Sequence, residues 1–327
     1  MKVLDEIHGA IVLSEEEIEA HLQAATWNTV IDAVAETFIE EAHGRVISPP
    51  KSIMSFVDCG NDYRMMPAYM EKYSDFCGTK IISACNRNPE KYNLPLAMGV
   101  YLLNDRHTQK NLMIFNACTT TAWRTAAASA VGIRELSNKN SKTLGIIGCG
   151  QQAYYHIHAI WAVRNIENIL VYDINESSMD KIVDKFKPFK LTKSSKEEIF
   201  EKSDVVVTMT PTTKAHMFVD DLPDREMMIC AIGGDSEIKT EFEPKTLTVV
   251  DHFCDSYEQV SHTGTVHTAI DEGIISQEDL KSLGNLMIGK EAMDETKKIK
   301  MFLSTGVALE DLAMAILLYK KIKPTLN

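Results

Sequence analysis

The chain has 327 residues, 45% hydrophobic and 24% charged, which suits two globular domains and a core large enough to need no disulfide staples. Forty-six acidic against 34 basic residues give a formal net charge of −12. The one short basic cluster, Lys297, Lys298 and Lys300, sits beside Glu291, Asp294 and Glu295, which argues against a nucleic-acid partner. Seven cysteines without C-x-x-C spacing speak against a metal site and for a reducing, cytoplasmic setting, and the chain shows neither a signal-peptide core nor an apolar run of membrane-spanning length.

In chain order, residues 14–43 read as two helices, opened by Ser14 as N-cap with Glu15, Glu16 and Glu17 at the positive helix end. Ser48-Pro49-Pro50 breaks the pattern. From 51 to 115 short apolar runs (Ser52–Val57, Arg64–Ala68, Thr79–Cys85, Leu96–Leu103, Leu112–Phe115) alternate with turns such as Cys59-Gly60-Asn61-Asp62 and Asn86-Arg87-Asn88-Pro89, predicting an antiparallel sheet. The Ala-rich stretch Ala117–Glu135 predicts one long helix. Strands are then expected at Thr143–Ile147, Asn168–Tyr172, Ser203–Thr208, Met227–Ile232 and Leu247–Val250, with helices at Ala153–Val163 and near Ser178–Phe186. This alternation implies a parallel, doubly wound α/β sheet of Rossmann type. Helical segments follow, and a last helix spans Ala308–Lys321.

Gly148-Cys149-Gly150-Gln151-Gln152-Ala153 follows the first of these strands and opens a helix. Gly148 permits the tight turn, Gly150 lets backbone approach a pyrophosphate, and Ala153 keeps helix and sheet close. The helix N-terminus offers N–H groups and a positive dipole to the phosphates. Asp173 ends the next strand, where an acid accepts the ribose hydroxyls of NAD and repels a 2′-phosphate; no Arg follows in Ile174-Asn175-Glu176-Ser177-Ser178, so NAD is expected over NADP. Without that context the loop would be a plain glycine turn.

Seven blocks run in order along the chain. They are Arg64-Met65-Met66-Pro67-Ala68; Gly78-Thr79-Lys80; Asn88-Pro89 with Leu94-Pro95; Arg124-Thr125-Ala126-Ala127; Gly148–Ala153; Ala231–Asp235 with Lys239; and Ser304–Asp311. Together they resemble the ornithine cyclodeaminase/mu-crystallin family, and in motif detail its archaeal-type alanine dehydrogenases. The resemblance implies a homodimer, an α+β substrate-binding and dimerisation domain over 1–126 with 307–327, and a Rossmann domain over 127–306. It implies hydride transfer between an amino acid Cα and the nicotinamide of NAD, through an imine.

By that resemblance Lys80 and Asp235 are the catalytic residues and face each other across the nicotinamide. Lys51, Arg64, Lys80, Arg124 and Gly306 would bind a small carboxylate-bearing substrate. Cofactor contacts would come from Arg124, Thr125, Gly148, Gly150, Gln151, Gln152, Asp173, Thr210, Ile232, Gly233, Gly234, Lys239 and Thr305. Read singly, several have plainer explanations. Lys51 and Lys80 could be solvated lysines, Arg124 an exposed helix arginine lying over Trp123, and Asp235 a turn residue. His156 and His158 do not share a helix face and read as packing residues.

The sequence departs from the cyclodeaminase pattern. Arg64 stands where an acid would receive the substrate amine, Lys51 replaces an Arg, Leu96 replaces a Thr, and Ser236-Glu237-Ile238 replaces a Pro-Gly. A cation in place of an anion repels a diamino acid side chain and favours a 2-oxo acid. An NAD(H)-dependent dehydrogenase or imine reductase is therefore expected. A cyclodeaminase that recycles NAD, and a non-catalytic binding protein on the same scaffold, are the alternatives.

Overall fold

The computed structural model describes residues 2–4, 9–56, 58, 61–85, 87–187 and 189–323; the expected turn at Cys59-Gly60 and residue Asn86 lie outside them. The chain divides into two compact units, Met1–Arg124 with Val307–Asn327, and Thr125–Gly306.

The first unit begins with strands β1 (Lys2–Leu4) and β2 (Ala10–Leu13) and helices α1 (Glu15–Gln23) and α2 (Trp27–Ala42). Ser14 starts α1 through a reciprocal cap: its hydroxyl accepts the Glu17 N–H and the Glu17 carboxylate accepts the Ser14 N–H. Strands β3 (Val46–Ile47), β4 (Ser52–Phe56), β5 (Asn61–Met70), β6 (Phe76–Ala84), β7 (Ala97–Asp105) and β8 (Asn111–Asn116) follow, and helix α3 (Ala117–Leu136) starts directly after β8. Neighbours from β4 to β8 are antiparallel, as the turns predict, but β2 pairs β8 in parallel, so the sheet is mixed and reaches back through β2 to β1 at Lys2.

Pro67 sits inside β5 without breaking it. Its β6 partner is Thr79, while on the other edge β4 ends its pairing at Met65 and β3 begins at Tyr69. The proline, which has no N–H to give, falls in that gap.

Alternate residues Met66, Ala68 and Met70 of β5, Lys80 of β6, Tyr101 and Leu103 of β7, and Met113 and Phe115 of β8 are buried. The C-terminal helix Ala308–Ile322 packs on β5, β6, β7 and α2. Met65, Met98 and Val100, of opposite parity, are exposed, as are Ile53, Met54 and Phe56 of β4. Lys80 does not stand at a strand start as expected. It is central in β6, paired with Met66 and Tyr101, because the strand already begins at Phe76.

The second unit carries β9 (Thr143–Ile147), α4 (Gln151–Val163), β10 (Asn168–Tyr172), α5 (Glu176–Lys185), β11 (Leu191–Lys193), α6 (Lys196–Lys202), β12 (Val205–Thr208), β13 (Met227–Ala231), α7 (Thr246–Val249) and β14 (Asp251–Cys254). Then come α8 (Tyr257–Val260), α9 (Gly264–Asp271), β15 (Lys281–Ser282), α10 (Leu283–Met287) and β16 (Ile299–Leu303). The strands form one wholly parallel sheet in the order β11-β10-β9-β12-β13-β16-β14-β15, with runs such as Val205–Val207 and Met227–Cys230 fully buried.

Leu247–Val250, read as a strand, is the helical turn α7, and the strand is the next segment, Asp251–Cys254. Its polar start misleads. Asp251 is buried because the Lys281 ammonium at 2.7 Å, the Lys300 ammonium at 3.5 Å and the Asp294 N–H at 2.7 Å meet its carboxylate.

Candidate functional site

In the first unit, the β6 pleat turns Lys80 inward and the β5–β7 neighbours remove it from water, leaving it 1% exposed. Its Nζ lies 2.6 Å from Asp311 Oδ2 and 3.4 Å from Thr121 Oγ1 of α3. Burial pulls the Lys80 pKa down to about 8; Asp311 opposes the shift, and the positive charges of Arg124 and Lys51 add to it.

Arg124, three residues after Thr121 on α3, is also buried. Its Nη1 meets Glu310 Oε2 at 2.8 Å and its Nε lies 3.4 Å from Asp311 Oδ1. Its burial rules out the exposed helix arginine of the plainer reading; the adjacent Trp123 stacks on Trp27 at 4.1 Å and donates its indole N–H to Glu19 at 2.9 Å. Lys51, Lys80 and Arg124 thus come close enough to influence one another. The Arg64 guanidinium donates to Asp62 Oδ2 at 2.6 and 3.0 Å. Two buried carboxylates here balance two buried cations.

In the second unit, Gly148 adopts φ +100° at the end of β9, a conformation that favours glycine, and a Cβ there would press on the Met209 carbonyl at 2.9 Å. A Cβ on Gly150 would meet nothing, so the demand for glycine there is not internal packing. No side chain caps α4, its first turn holds no acid, and Gln152 Oε1 is buried without a hydrogen-bond partner among the described residues. The features suit an anionic diphosphate at the positive helix end. Asp173 follows β10; its Oδ2 accepts the Cys149 N–H and its Oδ1 the Asn175 N–H, each at 2.8 Å, which ties the glycine loop to this acid. The loop stands where strand order reverses between β9 and β12, the usual ligand crevice of such sheets.

After β13, the Ile232 N–H donates to the Thr208 carbonyl at 2.9 Å, and a side chain on Gly233 would overlap Glu241 and the Thr210 carbonyl. Glu241 is the organiser here. It is buried and accepts from Thr208 Oγ1, Thr210 N, Thr210 Oγ1 and Gly233 N at 2.6–2.8 Å, pinning two loops that the sequence assigned to the cofactor. Burial pushes its carboxyl up and those four bonds hold it down.

Asp235 and Lys239 are about one-third exposed and pair at 2.8 Å in a turn that also holds Gly234. Thr305 and Gly306 are placed by Asp255, fully buried, whose Oδ2 accepts both backbone N–H groups at 2.6 and 2.7 Å. Gly306 has φ +73°, again a glycine conformation. Thr125 is buried on α3. Among the described residues no group of three or more His, Cys, Asp or Glu could hold a metal ion.

Four carboxylates thus escaped the sequence reading: Glu241, Asp255, Glu310 and Asp311. The last two stood inside a quoted block, but two acids in the first turn of a helix read as dipole partners. Their burial was the missing information.

The profile of the ornithine cyclodeaminase/mu-crystallin family matches residues 9–325. The alanine dehydrogenase of Archaeoglobus fulgidus is 32% identical over 313 residues, covering 95% of this chain and 94% of the relative. Among solved structures, an archaeal alanine dehydrogenase dimer with bound NAD superposes with a TM-score of 0.89 at 30% identity, covering 97% of each chain. The Δ1-pyrroline-2-carboxylate reductase of Thermococcus litoralis, in complex with NADH and L-proline, gives 0.89 at 29% identity, covering 96% of this chain and 98% of the other. With a profile match over nearly its whole length, the chain belongs to the ornithine cyclodeaminase/mu-crystallin family.

Proposed function

We propose that this protein is an NAD(H)-dependent oxidoreductase that acts on the C–N bond of a small amino acid, 2-oxo acid or imino acid, as an alanine dehydrogenase or imine reductase does. The observation that carries the reading is the buried pair Lys80 and Arg124 with Lys51 beside them: in an acidic protein, such a cluster selects a carboxylate. The uncapped α4 N-terminus, the glycine loop and Asp173 suit NAD, as do the relatives whose structures hold NAD or NADH.

Bound NAD(H) would supply hydride transfer. Lys80, Arg124 and Lys51 would hold the substrate carboxylate and so orient Cα, and Arg64 would add to the charge from the same unit. Asp235 would balance the positive charge of a protonated imine and exchange a proton with its nitrogen, Lys239 keeping the carboxylate in place. Gly148, Gly150, Gln151, Gln152, Thr210, Ile232, Gly233, Gly234, Thr305 and Thr125 would line the dinucleotide, and Gly306 the substrate. We place the protein in the cytoplasm as a homodimer. Cys77, Cys85, Cys118, Cys149 and Cys230 are free thiols, and the exposed apolar residues of β4, β5 and β7 suit a second copy as cover.

The test is NADH absorbance with the purified protein, offered pyruvate with ammonium or Δ1-pyrroline-2-carboxylate. Stoichiometric NADH oxidation by either is the expected result. Ammonia and proline released from L-ornithine with no net change in cofactor would overturn it in favour of a cyclodeaminase. Failure to bind NADH at all would overturn the enzymatic reading.

A further inference from the structure

Asp311 touches both buried cations. Its Oδ2 lies 2.6 Å from Lys80 Nζ and its Oδ1 3.4 Å from Arg124 Nε, while Glu310 takes Arg124 Nη1 at 2.8 Å. All four side chains are buried, the two carboxylates completely. The two acids occupy the first turn of the C-terminal helix, at its positive end.

We propose that Asp311 is a positioning residue that spaces Lys80 and Arg124 and keeps the Lys80 ammonium charged for the substrate carboxylate. The inference rests on the carboxylate-binding role given to Lys80 above and adds the group that maintains it.

The physical need is plain. A lysine cut off from water tends to lose its proton, and the neighbouring Arg124 and Lys51 charges push the same way. A neutral amine would not grip a carboxylate. Asp311 is the anion in contact with Lys80 Nζ; Glu310 is engaged with Arg124. The other titratable groups facing Lys80 do not replace it. Cys118 at the start of α3 is held neutral by burial, and so is the Tyr101 hydroxyl, which is buried with no hydrogen-bond partner among the described residues. Bridging also sets geometry. One carboxylate with one oxygen toward each cation fixes how far apart the two donors stand, and a bound carboxylate must match that spacing.

An amide at this position cannot serve both cations, because its NH2 end faces one of them. Asp311→Gln and Asp311→Asn therefore remove charge and break one contact, whereas Asp311→Glu keeps the charge. The decisive measurement is the titration of Lys80 by 13C NMR of ε-13C-lysine protein, with the resonance assigned from Lys80→Ala. The wild-type midpoint is expected near 8. Asp311→Asn should move it down by about one unit or more, and Asp311→Glu should restore most of the shift. This readout needs no substrate, so it separates failure of the inference from failure of the enzymatic reading.

The activity arm uses pyruvate, ammonium and NADH across pH. Because the loss follows deprotonation of Lys80, Asp311→Asn should be near wild type at pH 6 and lose roughly fivefold or more in kcat/KM by pH 8, mainly through KM. An unmoved Lys80 midpoint in folded Asp311→Asn, or a loss of equal size at every pH, overturns the proposal. Should Asp311→Asn fail to fold, Asp311→Ser takes its place in the titration: a lowered Lys80 midpoint supports the proposal, and an unmoved one overturns it.

Discussion

Single side chains carry the sharpest consequences. If Lys80 grips the substrate and Asp235 exchanges the proton, Lys80→Ala and Asp235→Ala should each lower kcat/KM by roughly a hundredfold or more, with NADH affinity, followed by fluorescence, nearly unchanged. Near-normal turnover in Asp235→Ala would show that another group handles the proton. Asp173 accepts two backbone N–H groups, so its carboxylate is held beside the glycine loop at the end of β10. Asp173→Ser should therefore weaken NADH binding and narrow the gap to NADPH, since the charge that repels a 2′-phosphate is gone. A wild type that binds NADPH more tightly would contradict the assignment.

Elements are held by groups far from the chemistry. Helix α3 ends against Arg164, whose guanidinium donates to the carbonyls of Ile133, Arg134 and Ser137 at 2.8, 2.8 and 3.0 Å and to Asn138 O and Ser137 Oγ at 3.2 and 2.9 Å. A cation satisfying the last carbonyls works with the helix dipole as well as with the hydrogen bonds. Arg164→Ala leaves the part-buried Arg134 and Ser137 carbonyls without this donor and should cost about 2 kcal/mol in urea unfolding; a loss under about 0.5 kcal/mol would mean that water replaces the side chain. Between α3 and α4, His156 is wholly buried, bonded to Ser129 Oγ at 3.0 Å and the Gln152 carbonyl at 2.9 Å, and burial lowers its pKa to about 4. The unfolded chain takes up this proton near pH 6.5 and the folded one only near 4. Stability contributed by His156 is therefore full above the unfolded value and falls as pH drops through that window, by up to roughly 3 kcal/mol. Stability measured from pH 7 to pH 4 should decline less steeply in His156→Gln than in the parent.

At the scale of the whole molecule, the exposed face of the first sheet is the feature that needs a partner. Val100 and Met98 on β7 and Met65 on β5 stand open beside the outward residues of β4. A second copy laid on this face would cover it, so sedimentation at micromolar concentration should give about twice the 36.6 kDa chain mass. Val100→Glu, which places a charge in that face, should yield monomers. Dimers unaffected by this change would place the contact elsewhere.

What could be read without the structure was whatever is written within a short window. The glycine loop, the strands β9 and β10, the Ser14 cap and the two opening helices are local in this sense: periodicity, φ preference and capping chemistry act over a few residues. Segment 246–254 shows the limit. Apolar Leu247 and Val250 looked like the strand, and only the arrival of Lys281 and Lys300 allows Asp251 to begin one instead. Arg64 shows it again, since no motif announces that its guanidinium pairs with Asp62. The clearest case is the cation cluster. Lys80 and Arg124 were visible as residue types, but Glu310 lies 186 positions beyond Arg124, and nothing nearby in the chain tells a solvated acid from a buried one. Whether a charge is buried, and what then meets it, depends on which distant segment packs over it; the tertiary structure alone decides that, and with it which lysine is held charged and which carboxylate holds it.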